Sequence, residues 1–364
     1  MHFYMPTKVY SERGCVRRYS QEWATLGKKA LIVTGKSSAK NGALMDVLGA
    51  LHEHGTAVVV FDETEENPSI EMVMRVRELG LRENVDFVIG IGGGSPMDAA
   101  KAIALMLYHK EKGAEFLYQK GDDVALPVVE VPTTCGTGSE VTPYAILTIH
   151  AKRTKSSLPH RIYPAYALAD GKYLLEAGRG ILVNTVIDAL GHFIESYINA
   201  NATDYSHMLC EYGMKVWSST KSVLIGAERT VEDCDRLLLA STIAGMAITH
   251  TGTALPHGLS YYLTYENHVP HGKAVGYFLP GYVAAADAAM RRKVLELIGF
   301  PDQAYFAAFI HRLLGPMQAE PELITRAVEG ILANEAKLKN VPFSVTEDIL
   351  NSICAEANLQ RKFT

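Results

Sequence analysis

The sequence predicts a chain in two parts: an α/β domain over 1–172, doubly wound on a largely parallel sheet, and an all-helical domain over 173–364. Three observations carry this prediction. Short β-branched runs alternate with helix-periodic runs through the first half, and after about Asp170 the strand signals fade. The length, 364 residues, also exceeds one typical core. Strands that alternate with helices imply parallel pairing, with both faces of the sheet covered.

In chain order, KALIVTG (29–35), TAVVVFD (56–62), DFVIGIGGG (86–94) and PVVEVPTT (127–134) read as strands, each bounded by turn residues. Between them, NGALMDVLGALHEHG and SIEMVMRVRELGLREN repeat apolar residues at helical spacing. HRIYPAYALAD, near the boundary, still fits a strand of the sheet. The second half reads as helices over VNTVIDALGHFIESYI, SHMLCEYGMKVWSSTKSVLIGA, DCDRLLLASTIAGMAIT and AVGYFLPGYVAAADAAMRRKVLELIG.

Composition narrows the partners. Nearly half of the residues are apolar (48%), and the formal charge of −5 is spread without like-charge blocks, which argues against nucleic acid and membrane surfaces. The first residues lack an apolar core with a small-residue cleavage site, and no uncharged apolar run reaches spanning length. Cys15, Cys135, Cys210, Cys234 and Cys354 are odd in number and scattered. A soluble protein of the reducing cytoplasm is expected.

VIGIGGGSPMDAAKAIAL places Gly92, Gly93, Gly94 and Ser95 where a strand ends, with Pro96 where a helix begins. Glycine lets backbone N–H groups approach a ligand, and a helix start attracts anions. Glycines alone fit a tight turn equally well, and the spacing is neither Gly-x-Gly-x-x-Gly nor a P-loop. The second stretch, PTTCGTGSEVTPYAILT, shifts the balance: it adds Thr133, Thr134, Thr137 and Ser139 past the next strand, at the same carboxyl edge where open α/β sheets bind ligands.

Asp188 and His192 lie four apart and share one helix face in an otherwise apolar segment. Taken alone, they read more readily as a helix-surface pair. With His257 and His271 they make one hard oxygen and three imidazoles, a set suited to a divalent transition ion such as Fe²⁺ or Zn²⁺. Such a centre stays net positive and stabilises an alkoxide. His257-Gly258 and His271-Gly272 each follow a proline, Pro256 and Pro270, a likeness of frame to which the sequence reading attaches no meaning.

Together GGGSPMDAAKA, PTTCGTGSEVT, NTVIDALGHFIESYI and HGLSYYLTYENHVPHGKAVG resemble the iron-containing (group III) alcohol dehydrogenases. The resemblance implies a dehydroquinate synthase-like two-domain fold, with 1–172 a dinucleotide-binding domain and 173–364 the metal-binding and substrate domain, an active site in the cleft between them, and a homodimer. It implies Asp188, His192, His257 and His271 as ligands of Fe²⁺, with Zn²⁺ as the alternative. It further implies cofactor contacts from Asn67, Gly93, Gly94, Ser95, Asp98, Thr133, Thr134 and Thr137, with Lys155 at the ribose. NAD-preferring relatives carry an Asp after the first strand, and here Gly35 matches it, followed by Lys36, Ser37 and Ser38 as donors. NADP(H) is therefore expected over NAD(H), as in the NADP-using branch of the family. Tyr261 stands where many relatives have a proton-relaying histidine, and is expected to relay the proton, contact the substrate or simply pack. Pro256 replaces a small non-proline residue, so the helix there begins or bends.

The implied reaction is hydride transfer between NADP(H) and a small uncharged alcohol, diol or aldehyde, with Lys273 the only evident cation near the ligands. Glycerol dehydrogenase-like and maleylacetate reductase-like oxidoreductases remain alternatives. A dehydroquinate synthase-like lyase is another, although it calls for Glu as first ligand and for more cations. A nucleotide-binding protein without activity would leave the ligand set unexplained.

Overall fold

Alternate residues of each central strand feed two separate cores in the computed structural model, which describes residues 2–357. Leu31, Val33, Val88 and Val128 enter one core, whereas Ala30, Ile32, Phe87, Ile89, Ile91, Val129 and Val131 enter the other. That period of two on both sides is what a doubly covered sheet requires.

Six parallel strands form the sheet: β1 (Lys8–Ser11), β2 (Lys29–Thr34), β3 (Ala57–Phe61), β4 (Phe87–Gly92), β5 (Val128–Pro132) and β8 (Tyr166–Ala169), in the order β1-β8-β5-β4-β2-β3. A separate antiparallel ribbon pairs β6 (Ile146–Ile149) with β7 (Thr154–Ser157). Helices α1 (Ala43–Glu53), α2 (Ile70–Glu83) and α3 (Gly94–Tyr108) connect the first strands, and the Ser69 hydroxyl caps α2 by accepting from Met72 N–H. Chain order reverses between β2 and β4, so the loops after Thr34 and Gly92 both open at the switch point of the sheet. The HRIYPAYALAD segment does join the sheet, as β8.

The remaining helices of ten residues or more are α4 (Arg179–Tyr197), α5 (Asp204–Ser218), α6 (Val231–Thr251), α7 (Leu255–Glu266), α8 (His271–Ala285), α9 (Ala288–Ile298), α10 (Gln303–Leu314), α11 (Pro321–Leu332) and α12 (Glu347–Glu356). Two compact units result: residues Met5–Ala177 with Arg229–Thr242, and 2–4 with Gly178–Glu228 and 243–357. A single cut at 172/173 misses this exchange of segments, and 358–364 of the expected second domain lie outside the described residues. Where one helix was expected over 274–299 there are two, because Asp287 stops the first and caps the second by accepting from Ala289 and Met290 N–H. Among the described residues, no single helix is long and apolar enough to cross a membrane.

Candidate functional site

The sheet unit presents two loops that touch. A Cβ added at Gly93 would lie 3.0 Å from Thr134 Oγ1, and one at Gly94 would lie 2.8 Å from Thr137 Cγ2. Glycine is thus the residue that lets the start of α3 come against the threonine loop, leaving backbone N–H groups free of side-chain cover. Thr133 N–H donates to the Gly92 carbonyl at 2.8 Å, which fixes the spacing of the two loops.

Around this pair the structure gathers several residues expected at the cofactor. Asn67 N–H donates to Ser95 Oγ (3.1 Å), Thr148 Oγ1 donates to the Asn67 carbonyl (2.9 Å), and the Lys155 ammonium donates to Asn67 Oδ1. Asn67 itself takes a left-handed φ of 59°. Asp98 is used differently: its oxygens accept from Ser139 Oγ (2.6 Å) and Ile146 N–H (3.0 Å), within the protein. Lys36 and Ser37 are exposed after β2, whereas Ser38 is buried and donates to the Gly35 carbonyl. Ser38 is therefore not the outward donor expected from its place in the sequence.

Lys101 organises the threonine loop, a role the sequence reading did not assign. Its buried ammonium donates to Ser139 O (2.8 Å), Ser139 Oγ (2.7 Å), Thr142 O (3.1 Å) and Tyr144 O (2.7 Å). Burial lowers its pKa, while Asp98, Glu130 and Glu140 oppose that shift. The available signal was a lysine inside the apolar run DAAKAIAL.

In the helical unit, α4, α7 and α8 bring the other set together. Candidate ligand atoms of Asp188, His192 and His257, all buried, lie within 4.8 Å of one another. The half-buried His271 adds Nε2 at 3.7 Å from Asp188 Oδ1, and His257 Nε2 is 3.4 Å from the same oxygen. Asp188 Oδ1 and His257 Nε2 are buried without a hydrogen bond. Buried polar atoms left that way are costly, and a cation shared among them removes the cost, so the donor set fits a divalent metal.

Both proline-preceded frames now have a physical reason. Pro256 sits in the first turn of α7 and Pro270 directly precedes α8, so each histidine enters at the start of a helix, where proline forfeits no hydrogen bond. The glycines that follow allow close packing: a Cβ at Gly258 would meet Ile331 Cδ1 at 2.4 Å, and one at Gly272 would meet the Asn184 carbonyl at 1.8 Å. His268 is an exposed turn residue with φ 52°.

Glu195 is the residue the sequence reading missed on this side. Its buried carboxylate accepts from Ala254 N–H (2.7 Å), His257 N–H (3.2 Å) and His257 Nδ1–H. That last bond turns Nε2 toward Asp188 and makes the imidazole a better ligand. Glu195 lies seven residues after Asp188 and three after His192, on the same helix face, and that spacing was its signal. Burial opposes charge on Asp188, but His192, His271 and His257 hold its carboxyl well below the usual range. Burial likewise opposes a proton on His257, yet Glu195 and Asp188 push it up to about 9. Tyr261 stacks on the His271 ring, with centroids 6.0 Å apart, and the Lys337 ammonium lies 5.7 Å from the tyrosine ring.

Comparison with known proteins decides the family. The profile described as iron-containing alcohol dehydrogenase matches residues 6–171, and that of the Fe-containing alcohol dehydrogenase family, C-terminal, matches 182–303. The chain belongs to the iron-containing alcohol dehydrogenase family. Among solved structures of the family, an iron-containing alcohol dehydrogenase from Thermotoga maritima is 37% identical, with TM-score 0.90, covering 98% of this chain and 99% of that one. The NADPH-dependent butanol dehydrogenase of Clostridium saccharobutylicum is 27% identical, over 98% of this chain and 94% of its own. The NAD-dependent methanol dehydrogenase of Bacillus methanolicus is 29% identical, over 74% and 72%. Relatives within the family thus bear the names of both nicotinamide cofactors, and this member is an oxidoreductase of the alcohol dehydrogenase type.

Proposed function

We propose that the protein is a metal-dependent, NADP(H)-linked alcohol dehydrogenase or aldehyde reductase acting on a small alcohol, diol or aldehyde. The observation that carries this reading is the buried meeting of Asp188, His192 and His257, with His271 3.7 Å from Asp188. These residues would hold Fe²⁺, or Zn²⁺, which share the same donors. A divalent ion there supplies Lewis acidity for negative charge developing on the substrate oxygen. Asp188 keeps its charge under the influence of the surrounding imidazoles, and Glu195 fixes the tautomer of His257. Tyr261, stacked on His271, offers a phenol for the proton step.

For the cofactor, Gly93 and Gly94 with Thr133, Thr134 and Thr137 form the phosphate cradle, and Ser95, Asn67 and Lys155 form the adjoining polar cluster. Asp98 belongs to the same reading as a positioning group, since its oxygens hold Ser139 and Ile146. The preference for NADP(H) rests on Gly35, Lys36 and Ser37. A Cβ at Gly35 would find no atom nearer than the Thr64 carbonyl at 3.8 Å, so space does not demand glycine there. Absence of the carboxylate then acts on charge, sparing a 2′-phosphate from repulsion. A homodimer in a reducing cytoplasm completes the proposal, in keeping with five free cysteines.

The test is an oxidation screen of NADPH and NADH against short aldehydes with metal-stripped protein, restored with Fe²⁺ or Zn²⁺. Turnover only after metal addition, and faster with NADPH, is the expected result. Metal-independent turnover would sink the site assignment, and a preference for NADH would sink the cofactor assignment.

A further inference from the structure

A cavity of about 560 Å³ opens in the helical unit, with Arg179, Lys273 and Arg312 in its lining and no Asp or Glu. Three cations in one cavity are unexpected in a chain of net charge −5. Lys273, expected as the only evident cation near the ligands, shares this cavity with two arginines, and the Lys337 ammonium acts on Glu195. Among the described residues, no ion pair joins any of the three to a carboxylate. Arg179 donates to the Leu224 carbonyl at 2.6 Å, and the Lys273 ammonium lies 5.9 Å from the Tyr277 ring. Gathered like charges repel, and an anion is the ligand that converts that repulsion into binding.

The backbone works in the same direction. Gly272 packs on Asn184, Gly276 on Ile187, and Gly191 on Val275 and Leu279, so α4 and α8 run parallel and start at the same end. Both first turns reach the cavity, through Arg179 and Gly180 on α4 and Lys273 on α8, and neither contains an acid. Two aligned helix starts favour negative charge there. Val183, Ile225 and Leu313 add an apolar wall, and the volume leaves room for more than one inorganic ion.

We propose that this cavity binds an oxyanion (carboxylate, sulfonate or phosphate) carried on a short carbon chain. Its lining comes from the two helices that also carry Asp188 and His271: Asn184 is one helical turn before Asp188 on α4, and Lys273 follows His271 by two residues on α8. The oxyanion belongs either to the substrate itself or to a separate small effector. The substrate source rests on the reading of the reaction above; the binding site does not.

The experiment uses the purified full chain, Arg312→Gln, Arg312→Lys and Arg179→Gln/Arg312→Gln, with folding checked by circular dichroism. Inorganic phosphate is titrated calorimetrically, and KM is measured for 4-oxobutanoate and for pentanal. Phosphate binding should weaken about tenfold in Arg312→Gln, further in the double variant, and less in Arg312→Lys. In the wild type, phosphate should protect Arg179 and Arg312 from phenylglyoxal, a readout that needs no variant. A parallel rise of about tenfold in the KM ratio of 4-oxobutanoate to pentanal places the oxyanion on the substrate. Weakened phosphate binding with an unchanged KM ratio places it on an effector. If phosphate neither binds nor protects, and the KM ratio is the same in all variants, the site is overturned. A wild type that binds phosphate but turns over neither aldehyde counts against the reaction alone.

Discussion

The two units each hold a candidate site in place with one buried charge, and the charges are opposite. In the sheet unit the Lys101 ammonium collects carbonyl oxygens of the threonine loop. In the helical unit the Glu195 carboxylate collects N–H groups at the start of α7. What each leaves over differs accordingly. Around Lys101 the carbonyls turn inward, and the Thr134 and Thr137 side chains stand against the start of α3, in the loop proposed for a phosphate. Around Glu195 the N–H groups turn inward and an imidazole nitrogen is left, suited to a metal. A buried ion of one sign thus prepares a surface for a ligand of the opposite sign.

The strongest way to separate the two regions is His271→Ala, which should abolish metal retention and turnover while leaving NADP(H) affinity nearly unchanged, read by metal analysis and cofactor titration. Retained activity would remove His271 from the ligand set. Lys101→Met should do the reverse. Loss of an ammonium that serves four acceptors should destabilise the protein by about 3–5 kcal/mol and loosen the cofactor, with metal content preserved. Metal loss in a folded Lys101→Met protein would contradict the division of labour. Glu195→Gln should lower metal affinity by about 10- to 100-fold, because the second partner of His257 loses its charge.

The metal side alone should respond strongly to pH. His257, held up to about 9 in the metal-free site, must release a proton when metal binds. Apparent affinity should therefore fall about tenfold per pH unit below that value and level off above it, as a chelator competition would show. A flat profile across pH 7–9, tested with about micromolar protein, would mean that the imidazole is already neutral. The smallest effect is expected on the cofactor side. Gly35→Asp should shift the NADP/NAD ratio several-fold toward NAD, and an unchanged ratio would remove charge repulsion at position 35 as the basis of preference.

How much of this was legible depended on whether the signal was local. The strands at 29–35, 56–62, 86–94 and 127–134 announced themselves because β-branched runs end at turn residues. β1 and the ribbon of β6 with β7 did not, since KVYS and TKSS are short and polar and become strands only through their partners. Asp188 and His192 were legible as a spacing, and their meeting with His257 needed the packing of α7. Glu195 and Lys101 sat in plain view, but a charge in an apolar run acquires a role only when its partners are known. Arg179, Lys273 and Arg312 are separated by dozens of residues, and nothing local joins them.

Gly272 shows how narrow the margin is. Its missing side chain is what lets α8 lie on the Asn184 carbonyl, and a single added methyl would act as a wedge driven between two helices. The wedge would open next to His271 and against Asn184, which lines the cationic cavity, so a change that adds no charge and removes no ligand would detune both. For anyone diversifying this enzyme, position 272 is one to leave alone, because the contact with α4 forms only while it stays bare.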